Sequence, residues 1–195
     1  MTIDETRVLE QSAHIAEGQA LIEVKNLRKW FPVNTGFLSS ILYKQSLYVR
    51  AVDGVTFDIK KGEVLVLAGE SGCGKTTTGR CVLYLELPTD GKVVYAGQDL
   101  ATLDRNEIKE LRKRMQITFQ DPYESLNPKQ SIFSIVSEPL TVHKLPLTPS
   151  QRRERVLEAL ESVALIPAED YIDRYPHELS GGQRQRISVA RALIL

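Results

Sequence analysis

Residues 69–76 read Gly-Glu-Ser-Gly-Cys-Gly-Lys-Thr, and the residues just before them, Val64-Leu65-Val66-Leu67-Ala68, form an uninterrupted apolar run. A short apolar run without alternation predicts a strand buried on both faces, as in a parallel sheet. Gly69, Gly72 and Gly74 let the chain turn tightly, because no Cβ excludes positive φ or blocks an approaching group. The pattern is G-x-x-x-x-G-K-[ST], a loop whose backbone N–H groups wrap phosphates. The following residues, Thr77–Leu85, suit a helix, whose N-terminal N–H groups and dipole favour the same anion. The bland alternative is a glycine-rich turn that merely precedes a lysine. At residue frequencies of roughly 5–10% each, such a chance match has a probability on the order of 1%. Strand, loop and helix in this order therefore predict an α/β fold around a nucleotide site. Its binding set is Gly69, Glu70, Ser71, Gly72, Cys73, Gly74, Lys75, Thr76 and Thr77. Lys75 places a charge near the β/γ-phosphates, and the Thr76 hydroxyl can ligate Mg²⁺.

A second motif, Leu179-Ser180-Gly181-Gly182-Gln183, precedes Arg184-Gln185-Arg186 and an apolar-patterned stretch to Leu195. Locally it predicts a capping box, with Ser180 as N-cap and Gln183 reaching back from N3. A helix start with two glycines and a hydroxyl also presents N–H donors to an anion. Both motifs in one chain, in this order, resemble the ATP-binding cassette (ABC) ATPases. The resemblance implies a P-loop NTPase core with an antiparallel β subdomain and an α-helical subdomain carrying the signature. It also implies that Ser180, Gly181, Gly182 and Gln183 contact the γ-phosphate of ATP held by a second subunit, identical or not.

Carried along the chain, the same resemblance makes Ile117-Thr118-Phe119-Gln120 a short β-type run ending in the Q-loop glutamine. Gln120 would then reach Mg²⁺ and the attacking water, joining Lys75 as a catalytic residue; read alone, it is a surface glutamine after a strand. Phe31 is the first candidate for the aromatic that stacks on adenine and Trp30 the second, although either ring can serve as an ordinary hydrophobic plug. Asp121-Pro122-Tyr123-Glu124-Ser125-Leu126-Asn127-Pro128 looks like the stretch found in ATPases of oligopeptide and dipeptide importers. Ala51–Val55 and Arg174–Glu178 are similar to the same group. The implied role is the ATP-binding, energy-coupling subunit of an importer for peptides or related solutes. Its Tyr123–Pro128 region would dock onto transmembrane permease subunits. Turn chemistry alone would read the two prolines and Asn127 as a pair of turns.

Lysine plus arginine and aspartate plus glutamate each number 25, so no net field draws the chain to nucleic acid or anionic lipid. No apolar run approaches the roughly 20 residues needed to span a bilayer, and no signal peptide is apparent at Met1-Thr2-Ile3-Asp4-Glu5. Membrane attachment is therefore expected through a partner, at the cytoplasmic face. Two cysteines cannot build a disulfide framework, which suits a reducing compartment; Cys73 is expected to contribute only its backbone. His14, His143 and His177 are not spaced as metal ligands.

Along the rest of the chain, residues 1–19 read as a flexible lead and residues 20–195 as one partial nucleotide-binding domain. Strands are expected from Leu21 to Leu27, Tyr48 to Val52, Thr56 to Ile59 and Gly91 to Ala96. Helices are expected from Asn106 to Arg114 and from Ser131 to about Leu140. A third should follow Thr148-Pro149-Ser150-Gln151, capped and proline-started, burying Val156, Leu160 and Val163. No run of four apolar residues followed by Asp-Glu occurs. The acid strand that the family places after the signature helix is thus expected to be missing, along with the switch histidine beyond it. Without those strands, Val64–Ala68 should expose apolar surface and unpaired backbone groups.

Overall fold

The β-type alternation that opens at Leu21 runs through β1 (Ala20–Pro32), which lies between β2 (Tyr48–Lys60) and β3 (Asp90–Tyr95). Every pairing is antiparallel, and β4 (Gln98–Asp99) completes the order β2-β1-β3-β4. The computed structural model describes residues 18–33, 47–119 and 126–195. The expected lead, apart from Gly18 and Gln19, and Gln120–Ser125 lie outside the described residues. The chain divides into two units, Met1–Leu111 and Arg112–Leu195.

In the first unit Val24 pairs with Phe57 on one side and Val93 on the other. Val24, Leu27 and Val93 are essentially inaccessible; fully burying an aliphatic side chain contributes about 1.5–3 kcal/mol. The two strands expected at 48–52 and 56–59 are one strand, β2. Its continuity is kept by a bulge, where the register slips between Val24 and Leu27. Gly54 and Asn26 both take positive φ, at 83° and 49°, and the Asn26 N–H donates to Thr56 Oγ1 at 2.9 Å. A side-chain acceptor thus replaces a ladder carbonyl where the bulge interrupts the pairing. Helix α1 (Lys75–Val82) buries Thr78, Cys81 and Val82. It starts earlier than predicted and stops earlier, since Tyr84 turns the chain at a φ of 54°. Helix α2 (Arg105–Leu111) opens on Asp104, whose Oδ1 accepts from Asn106 N and Glu107 N. It ends before Arg112, so Arg112, Lys113 and Arg114, of which the last was the expected helix end, lie in the turn beyond it.

The predicted strand at Val64–Ala68 does not form. These residues join no ladder, and Val64 and Val66 are 86% and 77% exposed. Ile117–Phe119 likewise has no strand partner among the described residues. The physical reason is the same for both segments: a doubly buried strand takes its hydrogen bonds and its burial from neighbours on each side. None of the four described strands is such a neighbour, so the exposed apolar surface anticipated for an incomplete parallel sheet is what the structure has.

The second unit is helical. It comprises α3 (Ile132–Val142), α4 (Pro149–Ser162), α5 (Glu169–Ile172) and α6 (Gly181–Leu193), with a 3₁₀ turn at Pro176–Glu178. Ile132, Ile135, Leu140, Leu160, Leu165 and Ile187 form the centre of one apolar cluster. Ser131 caps α3 through Ser134 N. Thr148 and Gln151 form the expected capping box with Pro149 at the helix start. Val156 and Leu160 are fully buried as predicted, whereas Val163 falls at the C-cap and Ala159 takes the third buried place. No helix among the described residues is long and apolar enough to cross a membrane.

Leu160→Ala should destabilise the helical unit by about 2–5 kcal/mol through the cavity it leaves. The double change Val64→Lys with Val66→Lys should alter the unfolding free energy read from urea titration by no more than about 0.5 kcal/mol and lower light scattering on standing. A midpoint loss for the double variant as large as that for Leu160→Ala would mean that residues 64–67 are buried in solution.

Candidate functional site

The loop that follows Ala68 is held by its own lysine. Lys75 opens α1, and its Nζ turns back to donate to the carbonyls of Gly69 at 2.7 Å and Glu70 at 2.6 Å, with Cys73 Sγ at 3.6 Å. The ammonium therefore sits within the turn of the loop. Gly74 is the N-cap of α1 at φ 95° and offers no side-chain cap. Cys73 N–H donates to Glu70 O at 3.3 Å and Thr78 N–H to Gly74 O at 2.8 Å. The N–H groups of Ser71, Gly72, Gly74, Lys75, Thr76 and Thr77 find no acceptor among the described residues. Uncapped first-turn donors, a helix dipole and a cation together make an anion site.

Sterics explain why the loop has this composition. A Cβ at residue 74 would be driven into the carbonyl oxygen of Ala51 on β2, and one at residue 69 would lie 2.7 Å from Cys73 Sγ. Glu70, Ser71, Gly72, Cys73 and Thr76 are exposed. The Thr76 hydroxyl makes no hydrogen bond among the described residues, whereas Thr78 Oγ1 donates to Gly74 O at 2.9 Å. Thr76 is thus the hydroxyl left available to a cation, and Thr78 serves the helix.

The two aromatic candidates have different surroundings. Phe31 is 37% exposed, and Lys29 Nζ lies 4.8 Å from its ring centroid. Lys29 pairs across the ladder with Val52, whose side chain borders Gly74. The Phe31 ring therefore shares the side of the sheet that meets the loop. The Trp30 ring is engaged by Arg50, at 4.9 Å, and by Tyr48, at 6.4 Å between centroids. Sequence reasoning passed over Lys29. The signal was available, because residues two apart on a strand share a face.

In the second unit, Ser180 has extended backbone and its Oγ accepts from Gln183 N at 3.3 Å, while Gln183 Oε1 accepts from Ser180 N at 2.9 Å. This is the predicted capping box. It leaves the Ser180 O–H to donate, and the Gly181 and Gly182 N–H groups have no acceptor among the described residues. Arg184, buried beneath this turn, donates from Nη1 to Pro176 O at 3.1 Å. Gln120 and Asp121–Ser125 lie outside the described residues. Of the Tyr123–Pro128 region, Leu126 is buried and Asn127 Oδ1 accepts from Lys129 N in a local turn.

Comparison with known proteins gives a consistent picture. The family model described as ABC transporter matches residues 52–195. The chain is 44% identical over 181 residues to the oligopeptide transport ATP-binding protein AppF of Bacillus subtilis, covering 92% of this chain and 53% of that protein. It is 43% identical over 177 residues to the dipeptide transport ATP-binding protein DppF of Escherichia coli, covering 91% and 51%. Among solved structures, the dimeric post-hydrolysis ATP-binding cassette MJ0796 bound to ADP and Pi is similar at a TM-score of 0.72 and 30% identity. That alignment covers 89% of this chain and 69% of the other. The chain spans about half the length of the curated relatives it matches.

Gly74→Ala should destabilise the first unit more than Gly72→Ala does. Both leave positive φ, at a cost of about 1–2 kcal/mol, but only residue 74 also meets a backbone oxygen. Equal urea-midpoint losses for the two variants would remove the Ala51 contact from this account.

Proposed function

We propose, since the chain belongs to the ABC transporter family, that it is the ATP-binding, energy-coupling part of an importer for peptides or related solutes. The observation that carries this reading is the loop of uncapped N–H groups around the Lys75 ammonium. The names of the relatives AppF and DppF supply the transport context. In this reading the amides of residues 70–77 and Lys75 hold the triphosphate, and Phe31 stacks on adenine. Thr76 and Gln120 would hold Mg²⁺, which neutralises phosphate charge when bound. Ser180, Gly181, Gly182 and Gln183 would cap the nucleotide of a second subunit, homologous or identical. The 123–128 region would press on permease subunits at the cytoplasmic face of the membrane, and closure on ATP would be a switch driven by γ-phosphate contacts.

A second reading, nucleotide binding without turnover by these 195 residues, is favoured by one observation: no apolar run ends in Asp-Glu. Loss of a positioned general base removes a factor of typically 10²–10⁴ in rate. A soluble ABC ATPase of translation or repair fits less well, since Asp121–Pro128 points to importers.

Isothermal calorimetry with Mg-ATP tests the assignment. Lys75→Ala should weaken binding at least tenfold, an effect of about 1.4 kcal/mol or more. Ser180→Ala should leave binding to the isolated chain unchanged and lower helix stability by about 0.5–2 kcal/mol. Unaltered ATP affinity in Lys75→Ala would refute the site. Single-turnover hydrolysis at about 1 s⁻¹, within the usual enzyme range, would refute the second reading.

A further inference from the structure

Lys29 is tied down more firmly than a surface lysine requires. Its ammonium donates to Leu87 O at 3.0 Å and pairs with Glu86 Oε2 at 3.2 Å, and its side chain is only 15% exposed. It also lies over the Phe31 ring. Glu86 and Leu87 follow the C-terminal end of α1, the helix that begins at the phosphate loop. The buried Cys81 thiol of α1 reports the same neighbourhood: burial raises its pKa, Lys29 lowers it and Glu86 raises it.

We propose that Lys29 is a positioning residue for recognition of the nucleotide base. Its ammonium occupies one face of the partly exposed Phe31 ring near the end of β1, and the exposed part of the ring is left for a purine. The proposal rests on the nucleotide reading above and deepens it. A cation on one face of a benzene ring is attracted by the ring quadrupole, and drawing π density toward that face suits the ring to stack on an electron-rich base. Because the ammonium is anchored at Glu86 and Leu87, the base platform is referenced to α1. The aromatic and the phosphate loop thereby share one helix as their frame. The ammonium's contacts are to Leu87, Glu86 and Phe31 and not to residues 69–77, so Lys29 should act on the base and leave the phosphates alone.

The test compares ATP with inorganic tripolyphosphate, each titrated calorimetrically with Mg²⁺ into the 195-residue chain. Lys29→Gln keeps a donor for Leu87 O and removes the charge. It should weaken ATP binding about two- to fivefold, the size of an exposed cation–π contact, and leave tripolyphosphate binding unchanged. Lys29→Arg should restore ATP binding to within about twofold of the starting protein, since a guanidinium also sits over aromatic faces. In a Phe31→Ala background, Lys29→Gln should have no further effect, because the lysine acts through the ring. Should Lys29→Gln fail to fold by urea unfolding, Glu86→Gln loosens the same anchor and should lower the ATP-to-tripolyphosphate affinity ratio about twofold. Three results overturn the proposal: ATP affinity insensitive to Lys29→Gln and Glu86→Gln, equal loss for both ligands, or a loss that persists without Phe31. If the unsubstituted chain binds neither ligand, the nucleotide reading fails and the proposal with it. If it binds both and the Lys29 variants are silent, the positioning role alone falls.

Discussion

Backbone contact between Gly74 and the Ala51 carbonyl decides where the phosphate loop can be. Only a residue without Cβ lets α1 start so close to β2. With that start in place, Lys75 falls at the first helical position, from which its Nζ can reach back to the Gly69 and Glu70 carbonyls. The cation then neutralises the carbonyl dipoles on one side of the loop while the amides on the other side stay undirected. Put a Cβ at residue 74 and the helix must shift outward, taking with it both the lysine and the donors. The glycine at residue 74 is thus a packing requirement first, and the unpaired donors of the loop are its consequence.

Local chemistry was the most legible part of this chain. Capping boxes at Thr148–Gln151 and Ser180–Gln183 formed as their residues predict, because each needs only a hydroxyl, an amide and three residues of chain. The β-type alternation from Leu21 was equally readable, since period two and the sheet that it faces agree. Val64–Ala68 and Ile117–Phe119 were not. Their apolar runs state what the segments want to bury but not what will cover them, and among the described strands nothing does. A parallel strand is the element whose existence depends most on residues distant in sequence, so this is where reading from one segment must fail.

Two misreadings have a common origin in partners distant along the chain. The pair of strands expected around Asp53 is one strand, because Gly54 and Asn26 absorb the extra residue through positive φ and the Thr56 hydroxyl takes over a hydrogen bond. From sequence, a glycine within an apolar pattern marks either a break or a bulge, and only the partner strand distinguishes them. Lys29 was overlooked for a related reason. Its chemical role depends on Glu86 and Leu87, more than fifty residues on, with separations of 57 and 58 positions along the chain.

The helix starts of α1 and α6 solve opposite problems with nearly the same residue types. At α6 the Ser180 side chain satisfies the N3 amide and Gln183 satisfies the N-cap amide, so the helix is stabilised by about 0.5–2 kcal/mol relative to an uncapped one. At α1 no side chain caps at all, and the lysine, a donor that cannot satisfy an amide, is bonded to carbonyls. An uncapped start leaves the donors wanting a partner, which a polyanion can supply in greater number than any single hydroxyl. A capped start with two glycines can still offer the Gly181 and Gly182 amides and one O–H, but it is ordered without them. The first terminus therefore has much to gain from a ligand and the second little. On the proposed reading, that difference would make the loop at Lys75 the site of affinity, and the turn at Ser180 a preformed surface that a nucleotide would meet without having to organise it.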